Sequence, residues 1–214
     1  MTPPPFLVGV AGGSGAGKSS LCRAVAAALG PDRVALLPHD AYYVDRGHLP
    51  PAARAAIDFD APDALDQERF RADLEALRRG EPVVPPRYCF VTHRRLDGAE
   101  AIEPREVVLA DGILLFHDAA VRAAFDLRVW IDAPDALRLA RRIARDTRER
   151  GRTVESVVAQ CRATVFPAHA RWVEPTKAWA DLVLLNAGRL EAAAEVATAV
   201  IRDRLARRRL AEAA

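Results

Sequence analysis

The sequence predicts an α/β fold: a five-stranded parallel sheet flanked by helices. Three observations carry this. Five short runs rich in Val, Leu and Ile recur at Phe6–Ala11, Val34–Leu37, Glu106–Ala110, Leu127–Asp132 and Asp181–Leu185. They are continuous rather than alternating, as strands covered on both faces are. Helical patterns lie between them, which calls for right-handed crossovers. A glycine-rich turn also joins the first strand to the first helix.

In chain order, Lys18–Leu29 places Leu21, Val25 and Leu29 at helical spacing, and Gly30-Pro31 stops it. Pro62–Arg79 carries Leu65, Phe70, Leu74 and Leu77 and ends at Gly80. Residues 81–104 break the alternation with four prolines, no helical period and two short extended pieces. They read as a β-hairpin excursion from the sheet. Pro134–Arg150 opens on proline, a favoured early helical residue. Val154–Val165 follows, and Arg189–Leu210 closes the pattern. Together these predict one domain over residues 1–214, with a hairpin insertion at 81–104 and a helical lid at 138–165.

Composition narrows the class. A net charge of +2 with interleaved acids argues against a dedicated nucleic-acid binder. Neither a signal peptide nor a membrane span is expected, because no long apolar run is present. Cys22, Cys89 and Cys161 have no metal-ligand or disulfide spacing, which suits a reducing cytoplasm.

Gly12-Gly13-Ser14-Gly15-Ala16-Gly17-Lys18-Ser19 satisfies GxxxxGK[ST] between a strand and a helix. This is the phosphate loop of a P-loop NTPase fold. Its N–H groups and the helix N-terminus can cradle phosphates. Lys18 can reach the β and γ phosphates, and the Ser19 hydroxyl can ligate magnesium. Asp111, after the strand 106–110, fits the acid that holds a magnesium-bound water; it can equally cap the next segment. Asp40 lies past the carboxyl end of a strand, where ligands bind in open α/β sheets. It can take a proton from an acceptor alcohol, or merely open an Asx turn. Seven arginines fall between Arg138 and Arg152. Arg142 and Arg145 share a helix face. Guanidiniums there can bind phosphate, or pair with Asp146 and Glu149 on a solvated surface.

The blocks AGGSGAGKSS, HDAYY, DFDAPDALD, PRYCFVTHRR, ADGILLF, RRIARDTRERGR, VAQ and VEPTKAWADLVL occur in one order from Val8 to about Leu185. In these the chain resembles the uridine–cytidine kinases, a group of P-loop kinases that also holds phosphoribulokinase and pantothenate kinase. The resemblance implies transfer of the γ-phosphate of ATP or GTP, with Mg2+, to the 5′-hydroxyl of uridine or cytidine. It makes Asp40 the base and, with Ser19 and Asp111, a metal-shell residue. Lys18 and Arg145 would stabilise the transfer, and Ser20 and Arg142 would join the loop in binding the donor. Tyr43 and Asp60 would contact the nucleoside, Asp60 through the ribose hydroxyls. Tyr88, Phe90 and His93 would surround the base. Arg142, Arg150, Arg152 and Gln160 would complete the substrate site. A cytoplasmic homotetramer under feedback by pyrimidine triphosphates is also implied.

Four departures stand out. Cys89 replaces a usual aspartate, which would remove a charge from the acceptor pocket. Asp111 replaces glutamate, His39 replaces glutamine and Cys161 replaces tyrosine. The alternatives are a related kinase of a sugar phosphate or pantothenate-like alcohol, and a nucleotide-binding regulator with weak transfer activity.

Overall fold

The computed structural model describes residues 3–50, 53–54 and 57–212; the other residues of the expected single domain 1–214 lie outside them. Five parallel strands form the central sheet: β1 (Phe6–Ala11), β2 (Val34–Pro38), β5 (Val107–Gly112), β6 (Leu127–Asp132) and β7 (Leu182–Leu185), in the spatial order β2-β5-β1-β6-β7. The main helices are α1 (Lys18–Leu29), α2 (Gln67–Arg78), α3 (Ala119–Ala123), α4 (Asp135–Glu149), α5 (Val154–Gln160) and α6 (Leu190–Glu212). Strands β3 (Arg87–Cys89) and β4 (Arg94–Leu96) pair antiparallel outside the sheet.

The sheet separates two apolar layers. Val8, Val10, Leu109 and Val129 face α1 and α6, packing with Leu21, Val25 and Ile201. Leu7, Val108, Ala110 and Trp130 face the other way, onto Phe70, Leu74, Leu77 and Phe116. Each fully buried side chain of this size contributes about 1.5–3 kcal/mol by leaving water. Burial on both faces is why the strands read as unbroken apolar runs.

The elements follow the sequence with local shifts. The third expected strand runs to Gly112, so Asp111 lies within β5. The helix expected at 62–79 is split. Pro62–Ala64 makes a 3₁₀ turn, and Asp66 caps α2 by accepting from the Arg69 N–H. Asp66 competes for the backbone as N-caps do, which apolar spacing does not reveal. The helix expected at 154–165 is α-helical only to Gln160. It continues through wide turns at Cys161–Val165 and His169–Val173 and a 3₁₀ stretch at Glu174–Trp179. The short α3, capped by Asp118, had no periodic signature.

Register assembles the business end. Asp111 of β5 lies level with Val10 of β1 and Pro38 of β2. The phosphate loop, Asp111 and the 3₁₀ helix His39–Tyr42 therefore leave the sheet side by side at its carboxyl edge.

Candidate active site

The phosphate loop is held from three sides. At Gly12 the backbone has φ +147°, and an added Cβ would lie 2.2 Å from the Ile131 carbonyl oxygen, so only glycine fits. The Asn186 side chain, buried after β7, donates to the Ala16 carbonyl at 2.8 Å. Arg138 and His169 close over Gly13. Arg138 donates to Asp135 at 2.6 Å, and burial lowers the His169 pKa to about 4, keeping it neutral. None of Asn186, Arg138 and His169 was singled out from the sequence as a phosphate-loop contact. Their apposition depends on where β6, β7 and α4 end, and no motif reports that.

Lys18 is buried and donates to the Gly13 carbonyl at 3.0 Å. Burial pulls its pKa below the usual lysine value, while Asp40 and Asp111 oppose the shift. Ser19 Oγ donates to Asp111 Oδ2 at 2.6 Å, and burial raises the Asp111 pKa. A hydroxyl and two carboxylates beside the phosphate loop match what magnesium takes from proteins in phosphate sites: few side-chain oxygens, the rest being water and phosphate. The donor chemistry fits that ion, and Ser19, Asp111 and Asp40 are the residues that would hold it. Among the described residues no cluster of three or more His, Cys, Asp or Glu forms a protein-only cage. Ser20 sits on the first turn of α1 and accepts from Arg23 at 3.3 Å.

A cavity of about 480 Å³ opens next to the loop. Ser14, Asp40, Tyr43, Asp60, Tyr88, Phe90 and His93 line it. Arg142, Arg145, Arg150, Arg152 and Gln160 cover it from the lid. The residues named from the sequence for acceptor and lid thus meet in one space. Phe59, Ile57, Ile113, Ala159, Ala163 and Thr164 also line it and were missed. Phe59 carried one usable signal, an aromatic ring beside Asp60. The others are ordinary apolar or small residues.

The carboxylates of Asp40 and Asp60 accept no hydrogen bond from another side chain among the described residues. The Asx turn of this region is made instead by Asp45, which accepts from the Gly47 N–H at 2.6 Å. Asp60 is buried, and burial raises its pKa while Arg142 opposes the shift.

The aromatic end is a packed cluster. Tyr43 lies 5.1 Å from Tyr88 and 5.8 Å from Phe90, ring centre to ring centre. His93 stacks on Phe59 at 4.2 Å with the planes 15° apart, and its Nδ1 lies 3.3 Å from the Tyr88 hydroxyl. Burial, aided by Arg54, Arg150 and Arg152, lowers the His93 pKa, so the ring is neutral at neutral pH. Arg150 lies over the Phe90 ring at 4.0 Å, joining lid to hairpin.

Three departures find places here. Tyr88 and Phe90 line the cavity, and Cys89, the last residue of β3, is not among its lining residues. Its thiol is held below its ordinary pKa by hydrogen bonds from Thr92 and the Val91 backbone. The expectation that Cys89 removes a charge from the acceptor pocket is therefore corrected. His39 is buried between Gly112 and Phe70, and its Nε2 pairs with Gln67 at 3.1 Å. Cys161 packs with Val157 and Val165 inside the lid.

Not all the arginines serve the cavity. Arg148 pairs with the exposed Glu149, and Arg141 donates to Asn186 Oδ1 at 3.3 Å. Arg142 donates to Ser14 at 2.9 Å and to Gln160 at 3.1 Å, and Arg152 also donates to Gln160. The reading of Asp146 as a surface partner is corrected, because that side chain is fully buried.

A parallel sheet with a phosphate loop at its carboxyl edge, an acceptor cavity beside it and a basic lid defines a P-loop kinase. The chain belongs to the Phosphoribulokinase / Uridine kinase family, whose model matches residues 7–191. It is similar to the uridine kinase of Chloroflexus aurantiacus, with 45% identity over 92% of this chain and 94% of that one. It is also similar to that of Clostridium perfringens, with 35% identity over 93% and 96%. Among solved structures it resembles a candidate fructose transport system kinase of Silicibacter sp. TM1040, with TM-score 0.68, 26% identity, and 86% of this chain and 91% of that one covered. The phosphoribulokinase of Rhodobacter spheroides shares the fold, with TM-score 0.62, 13% identity, and 86% and 71% covered. No helix among the described residues is long and apolar enough to cross a membrane.

Proposed function

We propose that the chain transfers the γ-phosphate of ATP or GTP to the 5′-hydroxyl of uridine or cytidine. One observation carries the reading: a single cavity joins the phosphate loop and an unengaged carboxylate, Asp40, to a wall of aromatic rings. A flat base needs such a wall, whereas a sugar phosphate or a pantothenate-like alcohol does not. The names of the curated relatives agree with it.

In this reading Asp60 accepts hydrogen bonds from the ribose hydroxyls and points the 5′-hydroxyl toward the loop. Asp40 takes the hydroxyl proton as the oxygen attacks. Lys18, Arg142 and Arg145 stabilise charge spread over the transferring group, the main catalytic lever in phosphoryl transfer. Tyr43, Tyr88 and Phe90 enclose the base, and Arg150, Arg152 and Gln160 close over the ribose and phosphates. Magnesium bound at Ser19, Asp111 and Asp40 would neutralise phosphate charge. A cytoplasmic homotetramer is proposed on the family resemblance alone. The test is a product assay with ATP and magnesium on uridine, cytidine, thymidine, adenosine, pantothenate and ribulose 5-phosphate. Phosphorylation confined to the last four would overturn the reading.

The sugar gives a sharper expectation. With a 2′-deoxynucleoside, buried Asp60 loses one hydrogen-bond donor, a loss of about 1–3 kcal/mol. Cytidine should exceed deoxycytidine in kcat/KM by about tenfold to a hundredfold. Equal efficiencies in steady-state assays would remove Asp60 from the ribose.

The base gives another. The Tyr88 hydroxyl can donate to His93 Nδ1 or accept from it. Neutral His93 can then present its Nε2 as a donor or an acceptor. Uracil and cytosine are opposite in polarity along that edge, so both should be used within about tenfold of each other. His93→Phe should lower kcat/KM for at least one of them by roughly 1–3 kcal/mol equivalent. Unchanged values for both would take His93 out of the pocket.

A further inference from the structure

Asp146 is fully buried on α4, within a cluster of cations. Its Oδ1 lies 2.8 Å from Arg145 Nε and 3.5 Å from Arg150 Nε. Its Oδ2 lies 3.5 Å from Arg142 Nε and 3.9 Å from Arg152 Nη1. Helical spacing puts Arg142 and Arg150 one turn before and one turn after it. Arg152 returns because the chain reverses at Gly151, where φ is +63°. The backbone of Asp146 joins in, its carbonyl accepting from the Arg150 and Arg152 N–H groups at 3.1 and 3.2 Å. One residue thus binds both the guanidiniums and the chain that carries them.

Four guanidiniums outnumber Asp146 and the two carboxylates across the cavity, Asp40 and Asp60, and the excess positive charge repels itself. The cluster is also incompletely bonded. Asp146 Oδ2 and Arg142 Nε face each other at 3.5 Å, and neither has a hydrogen-bond partner among the described residues. Arg142 meanwhile reaches Ser14 of the phosphate loop. We infer that Asp146 is a positioning residue, which gathers Arg142, Arg145, Arg150 and Arg152 and sets where they meet the transferring phosphate. This rests on the phosphoryl-transfer reading above. It adds a carboxylate in a phosphate site, where a negative charge would otherwise weaken anion binding.

The charge balance gives a signature that a purely structural aspartate lacks. In Asp146→Asn the site is more positive but the guanidiniums are less well placed. Ground-state binding of triphosphate should hold or tighten while turnover falls. With the full chain, ATP and uridine, kcat should drop at least about tenfold, and KM for ATP should be unchanged or lower. The Kd for the non-hydrolysable analogue AMP-PNP should change in the same direction as KM. Folded Asp146→Asn with kcat within about twofold of wild type would overturn the inference, as would a loss carried wholly by a raised KM for ATP.

Asp146→Glu keeps the charge and moves it by one methylene. Its kcat should fall about threefold to tenfold at unchanged KM. If the asparagine variant does not fold, this variant decides: wild-type kcat overturns the inference, and the expected split supports it. If wild type leaves uridine and cytidine untouched, the substrate reading fails separately. The same comparison is then made on whichever acceptor of the panel is phosphorylated, or on ATP hydrolysis without acceptor.

Discussion

Asp40→Asn should lower kcat about a hundredfold to ten-thousandfold at neutral pH, the usual worth of a general base. The nucleoside KM should stay within about threefold, because an amide can still orient the hydroxyl. The structure also predicts that the fold survives, with at most a slightly lower melting temperature, because Asp40 helps to keep the buried Lys18 charged while Asp111 remains. Asp40 is half-buried in the 3₁₀ helix His39–Tyr42, and its carboxylate accepts no hydrogen bond from a side chain among the described residues. Loss of activity therefore reports chemistry rather than unfolding. Steady-state kinetics with a thermal melt checks both. A near-normal kcat would sink the assignment of Asp40 as base.

Lys18→Ala should reduce kcat about a hundredfold to a thousandfold, the scale of losing one well-placed group that stabilises the transition state. Its ammonium is buried at the loop and held against desolvation by Asp40 and Asp111. It is therefore a fixed charge beside the phosphates. Removing it relieves a desolvation cost, so the fold should survive. It also strips Asp111 of a cation, raising the Asp111 pKa further. The pH at which activity falls on acidification should move upward in Lys18→Ala. Lys18→Arg should not restore turnover, because a planar fork does not replace a compact ammonium in a loop closed by Gly13 and Arg138. A kcat within about tenfold of wild type would overturn the role of Lys18.

Much of this was legible before any coordinates. Continuous apolar runs such as Phe6–Ala11 and Leu127–Asp132 report burial on both faces, because a strand covered by helices has no polar side. The phosphate loop is legible because its chemistry needs a local backbone path that only a few residues allow. The motif blocks marked most of the groups that line the cavity, from Asp40 to Gln160.

Long-range placement was not legible. Nothing in local spacing says that β5 lies between β2 and β1, yet that order puts Asp111 beside Ser19 and near Lys18. Nor does it say that Tyr88 and Phe90 line the cavity while Cys89 between them does not. Asp146 is the clearest case. It lies in RRIARDTRERGR, whose arginines read either as phosphate binders or as a solvated face paired with Asp146 and Glu149, and a helical period cannot tell a buried polar face from an exposed one. Sequence by itself determined the five strands, the main helices and which residues are candidates for phosphate chemistry, because those depend on contacts within a few residues. Tertiary structure alone decided which side chains share a space, because packing of the lid against loop and hairpin turns a surface aspartate into the centre of four arginines.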